Sequence, residues 1–77
     1  MSEDNQIYTV NSNGDKCLYD DNGLLHHENL PALVDANGNQ FWYQHGQLHR
    51  DNDQPAVIYA NGEQEFFRHG RKIKDRQ

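Results

Sequence analysis

A 24-residue recurrence constrains this chain more than any other feature. Asn-Gly pairs stand at 13–14, 37–38 and 61–62, and Pro-Ala pairs at 31–32 and 55–56, each 24 residues after the last. Gly23, Gly46 and Gly70 follow at spacings of 23 and 24, and Leu25-His26-His27 matches Leu48-His49-Arg50. A period of this length marks one supersecondary unit, repeated because it cannot bury its apolar face alone. The unit is clearest from Pro55 to Gly70: an apolar run, Asn-Gly, an aromatic run and His-Gly. Asn-Gly is a strong hairpin signal, since a type I′ turn needs φ > 0 at both central residues. No segment carries apolar residues at helical spacing. The expected fold is therefore all-β, an antiparallel meander of about three 24-residue hairpin repeats.

Residues 1–6 are polar and expected to be flexible, leaving residues 7–77 as a single β-repeat domain. Its units run over about 7–22, 23–45 and 46–69, with a partial unit at 70–77. Polar linkers end at Pro31 and Pro55, where a strand tolerates a missing N–H best. A two-residue loop at each Asn-Gly pair sets Val10 opposite Cys17, Val34 opposite Phe41 and Ile58 opposite Glu65. Side chains alternate along a strand, so the expected core face carries Tyr8, Val10, Cys17, Tyr19, Ala32, Val34, Phe41, Tyr43, Ala56, Ile58 and Phe67. Leu18, Leu33, Trp42, Val57 and Phe66 fall on the other face, which is mixed and only partly buried. The second turns agree with this arrangement. A two-residue His45-Gly46 loop sets Leu48 opposite Tyr43, and a three-residue Asp21-Asn22-Gly23 loop sets Leu25 opposite Tyr19.

Composition limits what such a sheet can do. An apolar fraction of 34% and a mean hydropathy of −1.15 make for a thin core, so a homodimer sharing apolar surface is expected. A lone cysteine, Cys17, allows no intrachain disulfide. No apolar run is long enough to span a bilayer and no signal-peptide layout is present, so a soluble cytoplasmic protein is expected. Charge is unevenly placed: residues 1–38 carry seven acids against Lys16, a balance of −6, and residues 68–77 carry +4. Such asymmetry steers a partner or a second copy of the chain.

Several kinds of chemistry can be weighed residue by residue. Catalysis is not expected, since Cys17 lies on the core face as inert packing and Asp20 and Asp21 adjoin a turn that favours Asp. No glycine loop cradles phosphates, because the Asn-Gly pairs sit inside hairpins, and no cofactor is expected. Five histidines invite a metal, with His26, His27 and His49 in matching strands and His45 and His69 in matching turns. None has a zinc-finger spacing, and repetition alone explains the match, so no metal is assigned. Direct nucleic-acid binding is not expected of an acidic chain in which only the C-terminal stretch, Phe66 to Lys72, interleaves basic residues with aromatics. Acids that imitate phosphates fit better, which makes Asp20, Asp21 and Asp35 candidate contacts with a nucleic-acid-binding partner. Trp42, His49 and Arg50 are the other partner-binding candidates, aromatics and Arg being favoured interface anchors. Against that, Trp42 can pack on Leu33, and Arg50 can pair with Asp51 or Asp53.

The pattern Gly-x-Leu-His-Arg-x₄-Pro-Ala-x₃-Ala-Asn-Gly-x₃-Phe-x₂-His-Gly resembles a divergent MORN-type hairpin repeat. It is most similar to the variant in YwqK-like antitoxins and in small phage and giant-virus proteins, over about residues 7–75. The Tyr-x-Gly-x-Trp spacing of ordinary MORN units is absent, so their lipid-associated roles are not expected here. The resemblance implies a non-catalytic protein-binding module. One form is a phage or mobile-element inhibitor of a host defence complex such as a CRISPR effector, acting in the host cytoplasm. The alternatives are the antitoxin of a toxin–antitoxin pair and a self-assembling structural repeat.

Overall fold

The computed structural model describes residues 8–73. The expected flexible N-terminus and residues 74–77 of the partial last unit lie outside the described residues. Within them the chain is all-β and contains no helix, hence none long and apolar enough to cross a membrane. Nine short strands form: β1 (Thr9–Val10), β2 (Lys16–Cys17), β3 (Leu33–Val34), β4 (Gln40–Phe41), β5 (Tyr43–Gln44), β6 (Gln47–Leu48), β7 (Val57–Ile58), β8 (Gln64–Arg68) and β9 (Arg71–Ile73). Seven join one antiparallel sheet in the order β1-β2-β3-β4-β7-β8-β9, while β5 and β6 pair beside it.

The expected turns form, but not in the expected class. At the Asn-Gly pairs the ladder pairs Val10 with Lys16, Val34 with Gln40 and Ile58 with Gln64, one residue away from the expected register. Each loop has three residues, closed by Asn11 N–H to Asp15, Asp35 N–H to Asn39 and Tyr59 N–H to Glu63. Only the glycines have positive φ, +87°, +91° and +95° at Gly14, Gly38 and Gly62, and the preceding asparagines do not. At the first two turns a side chain two residues before the Asn supports this loop, while the third takes the same form with Tyr59 at that position. Asn11 Oδ1 accepts the N–H groups of Asn13 and Asp15, and Asp35 Oδ1 those of Asn37 and Asn39. That cap fits a type I turn followed by a left-handed glycine. Asp20 does the same for Asn22 and Leu24, so the Asp21-Asn22-Gly23 loop, expected to have three residues, follows the same pattern. Type I′ geometry appears instead at the His-Gly pairs, where His45 and Gly46 have φ of +49° and +87° and His69 and Gly70 +53° and +83°. The expected register holds at His45-Gly46, with Tyr43 opposite Leu48, and at the 21–23 loop, with Tyr19 opposite Leu25.

A one-residue slip flips a strand, so the expected core face is corrected. The row that shares one side of the sheet is Thr9, Cys17, Leu33, Phe41, Val57 and Glu65. Val10 is 59% exposed and Tyr19 51%, whereas Leu18, Trp42 and Val57, assigned to the mixed face, are buried together with Cys17, Ala32 and Ala56. Cys17 and Leu18 are neighbours and yet both buried, because the chain leaves one ladder for another at this point. Leu18 donates its N–H to Ala32 and accepts that of His26, while Trp42 donates to Ala56 and accepts from His49. Strict alternation fails at such a crossing. Ala32 and Ala56 have no exposed surface, which gives the Pro-Ala pairs a packing role beside these crossings.

Stacking joins one copy to the next through matched contacts. Asp15 Oδ1 accepts the Ala36 N–H, and Asn39 Oδ1 accepts that of Ala60, so a turn residue of one hairpin ties down the turn of the next. Gly46 N–H reaches Leu25, and Gly70 N–H reaches Leu48.

Candidate functional site

Three of the six candidate residues come together. Trp42, His49 and Arg50 line a cleft of about 240 Å³ with Glu28, Gln44 and Asp51 among its other walls. Trp42, at the strand crossing, is only 7% exposed, which corrects its expected place on a half-buried face. Its Nε1–H donates to the Asn29 carbonyl at 3.2 Å. The Arg50 guanidinium lies 3.9 Å from the centre of the Trp42 ring and donates from Nη1 to the Pro55 carbonyl. Arg50 therefore covers the tryptophan and anchors the second linker, rather than pairing with Asp51 or Asp53. Asp51 accepts from His49, and Asp53 lies 3.9 Å from Arg68.

His49 is buried, at 6% exposure. Its Nδ1 accepts the His69 N–H at 3.0 Å, which leaves Nε2 as the protonated nitrogen facing Asp51 Oδ1 at 2.8 Å. Both ring nitrogens are thus committed to holding the linker and the next turn. The cleft is polar and smaller than the roughly 300–1,000 Å³ of small-molecule pockets. It offers a rim of charge and amide groups.

The acidic candidates separate. Asp35 caps the second Asn-Gly turn, and hydrogen bonds from the Asn39 side chain and backbone hold its carboxyl below the usual range. Asp20 caps the 21–23 loop and receives His45 Nδ1 at 2.8 Å. The His45 bond first, and the Leu24 N–H next, hold its carboxyl down to about 2. Asp21 is exposed in the same loop. Two of the three acids thus have clear structural tasks in turns, and only Asp21 is left facing solvent without one.

A second constellation forms around Asp20. His26 and His45 stack with ring centres 4.1 Å apart, and His26 Nδ1 accepts the His45 N–H. One ligand atom each from Asp20, His26 and His45 lies within 4.8 Å of the other two. The same stack recurs one copy later as His49 on His69, with centres 4.3 Å apart, but Gln44 stands where Asp20 stood. Matched histidines were visible in the sequence. What places His26 against His45 and His49 against His69, 19 and 20 residues later, is the tertiary fold.

Cys17 is buried and unpaired, consistent with packing. Comparisons of the chain with protein-family models, curated proteins and solved structures find no match.

Proposed function

We propose that this chain is a non-catalytic protein-binding module that works by occupying the surface of a partner. The observation that carries the reading is the strand order. It lays the acidic first half, with Asp15, Asp20, Asp21, Glu28 and Asp35, toward one end of a continuous sheet and Arg68, Arg71 and Lys72 at the other. Charge separated along a rigid sheet gives orientation and a fast encounter with a complementary surface. The resemblance of its hairpin units to those of small phage proteins directs the reading to a mobile-element product that blocks a host defence complex, such as a CRISPR effector. On that reading the acids meet a basic groove. An antitoxin that caps its toxin is the nearest rival and would use the same surface.

The test uses acids that carry no turn. Asp21 and Glu28 are exposed, so Asp21→Lys with Glu28→Lys changes the charge without removing a cap. Affinity capture from host lysate should retain a protein partner on the wild-type chain, and the double variant or high salt should release it. Retaining no partner, together with a measurable turnover activity, would sink the reading.

Self-association is a second reading, supported by the open edges that β1 and β9 present among the described residues. Exposed Val10 and Ile73 stand on those edges. Opposite charge at the two ends suits a second copy, and a homodimer is the expected form. Light scattering at tens of micromolar should show twice the chain mass, and a clean monomer would remove this reading.

A further inference from the structure

We propose that Asp20, His26 and His45 form a binding site for a divalent transition cation of the zinc class. Two imidazoles and a carboxylate suit zinc as ligands, and three protein ligands leave a coordination position for water or for a group from a partner. Asp20 and His26 flank the 21–23 loop and His45 stands in the next tight turn, so only the folded chain assembles them. Each ligand atom lies within 4.8 Å of the other two.

The internal repeat provides a contrast. In the His49–His69 stack both nitrogens of the buried His49 are engaged, and Gln44 replaces the carboxylate. In the His26–His45 stack, His26 Nδ1 is engaged in the equivalent way by the His45 N–H. Its Nε2 has no side-chain partner among the described residues and is the nitrogen it offers. The His45 side chain is 66% exposed and Asp20 only 10%, so a mobile ligand faces a fixed one.

The chemistry balances without a redox step. His45 Nδ1–H now donates to Asp20 Oδ2 at 2.8 Å. On binding, the His45 proton moves to Nε2 through solvent, leaving a neutral ring with a lone pair on Nδ1. The cation takes the place of that proton. Tetrahedral zinc with bonds of about 2.0–2.2 Å holds its donors roughly 3.3 Å apart, so Nδ1 and Oδ2 separate by about half an ångström. Stacked rings cannot both aim at one ion, so His45 turns out of the stack, as its exposure allows.

The full chain, free of any added histidine tag, is titrated with zinc sulfate alone by calorimetry. One equivalent should bind saturably. Imidazole nitrogen resonances should shift for His26 and His45 and stay in place for His49 and His69. Asp20→Asn keeps an oxygen for the turn cap, and His45→Asn suits the left-handed backbone there. Each should weaken binding roughly tenfold or more, whereas His69→Asn should leave it unchanged. Absence of saturable binding, or zinc shifts centred on His49 and His69 in the wild-type chain, would overturn the assignment. So would unchanged affinity in His45→Asn, whose fold is checked by its circular dichroism.

Discussion

Gly62 lies at φ +95° with nothing within 4 Å of where a Cβ would stand, so backbone conformation alone demands glycine there. Replacing it with Ala should cost about 1–2 kcal/mol, read from urea denaturation. Gly62→Asn should cost less, because Asn tolerates the left-handed region better. At Asp20 the prediction concerns pH. Its carboxyl titrates at about 2 in the folded chain, depressed first by the His45 hydrogen bond. A depressed folded value means that its contribution is complete above the unfolded value of about 3.9 and is lost as pH falls from there toward 2. Melting temperature followed over that window should fall less steeply in Asp20→Asn than in the wild type. These residue-scale facts were partly legible. Asn-Gly marks the turns, and the Asx residue two positions earlier, Asn11 and Asp35, signals a three-residue loop at the first two, whereas Tyr59 gives no such sign at the third.

Elements here are two- to five-residue strands whose integrity depends on what crosses between them. Trp42 illustrates this at the junction of β4 and β5, where it is buried and its indole N–H is bonded to Asn29. Trp42→Ala should destabilise by about 3–5 kcal/mol, and Trp42→Phe by less. Arg50→Ala removes a cation–π contact of roughly 0.5–1 kcal/mol and the tie to Pro55. Denaturant titration of the three variants should rank them in that order: Trp42→Ala lowest in stability, the other two closer to wild type. A loss of partner binding in Trp42→Ala then reflects unfolding as much as contact, so Arg50→Ala is the cleaner probe of the cleft. Trp42, His49 and Arg50 were readable as partner-binding candidates from residue type. Their burial was not, because it comes from a strand that changes ladders in mid-course.

Measured over the whole molecule, the described chain is elongated, about 38 × 25 × 25 Å, as stacked repeats with nearest-neighbour contacts are. Stability should therefore grade along the stack. Amide hydrogen exchange is expected to be slowest in β3, β4 and β7, which have a neighbour on both sides, and fastest at Thr9–Val10 and Arg71–Ile73 on the edges. Uniform protection from end to end would show that the copies unfold as one unit instead. By itself the sequence determined the all-β class, the turn positions and the register at the His-Gly turns, because glycine placement and apolar spacing are local and repeat at one period. It did not determine which face is buried: that depends on a one-residue choice of loop length, and a period of two turns that choice into a reversal of faces. Only the tertiary structure brought His26 to His45 and His49 to His69, since the members of each pair stand 19 and 20 residues apart and meet through hydrogen bonds and packing that no single stretch of chain contains.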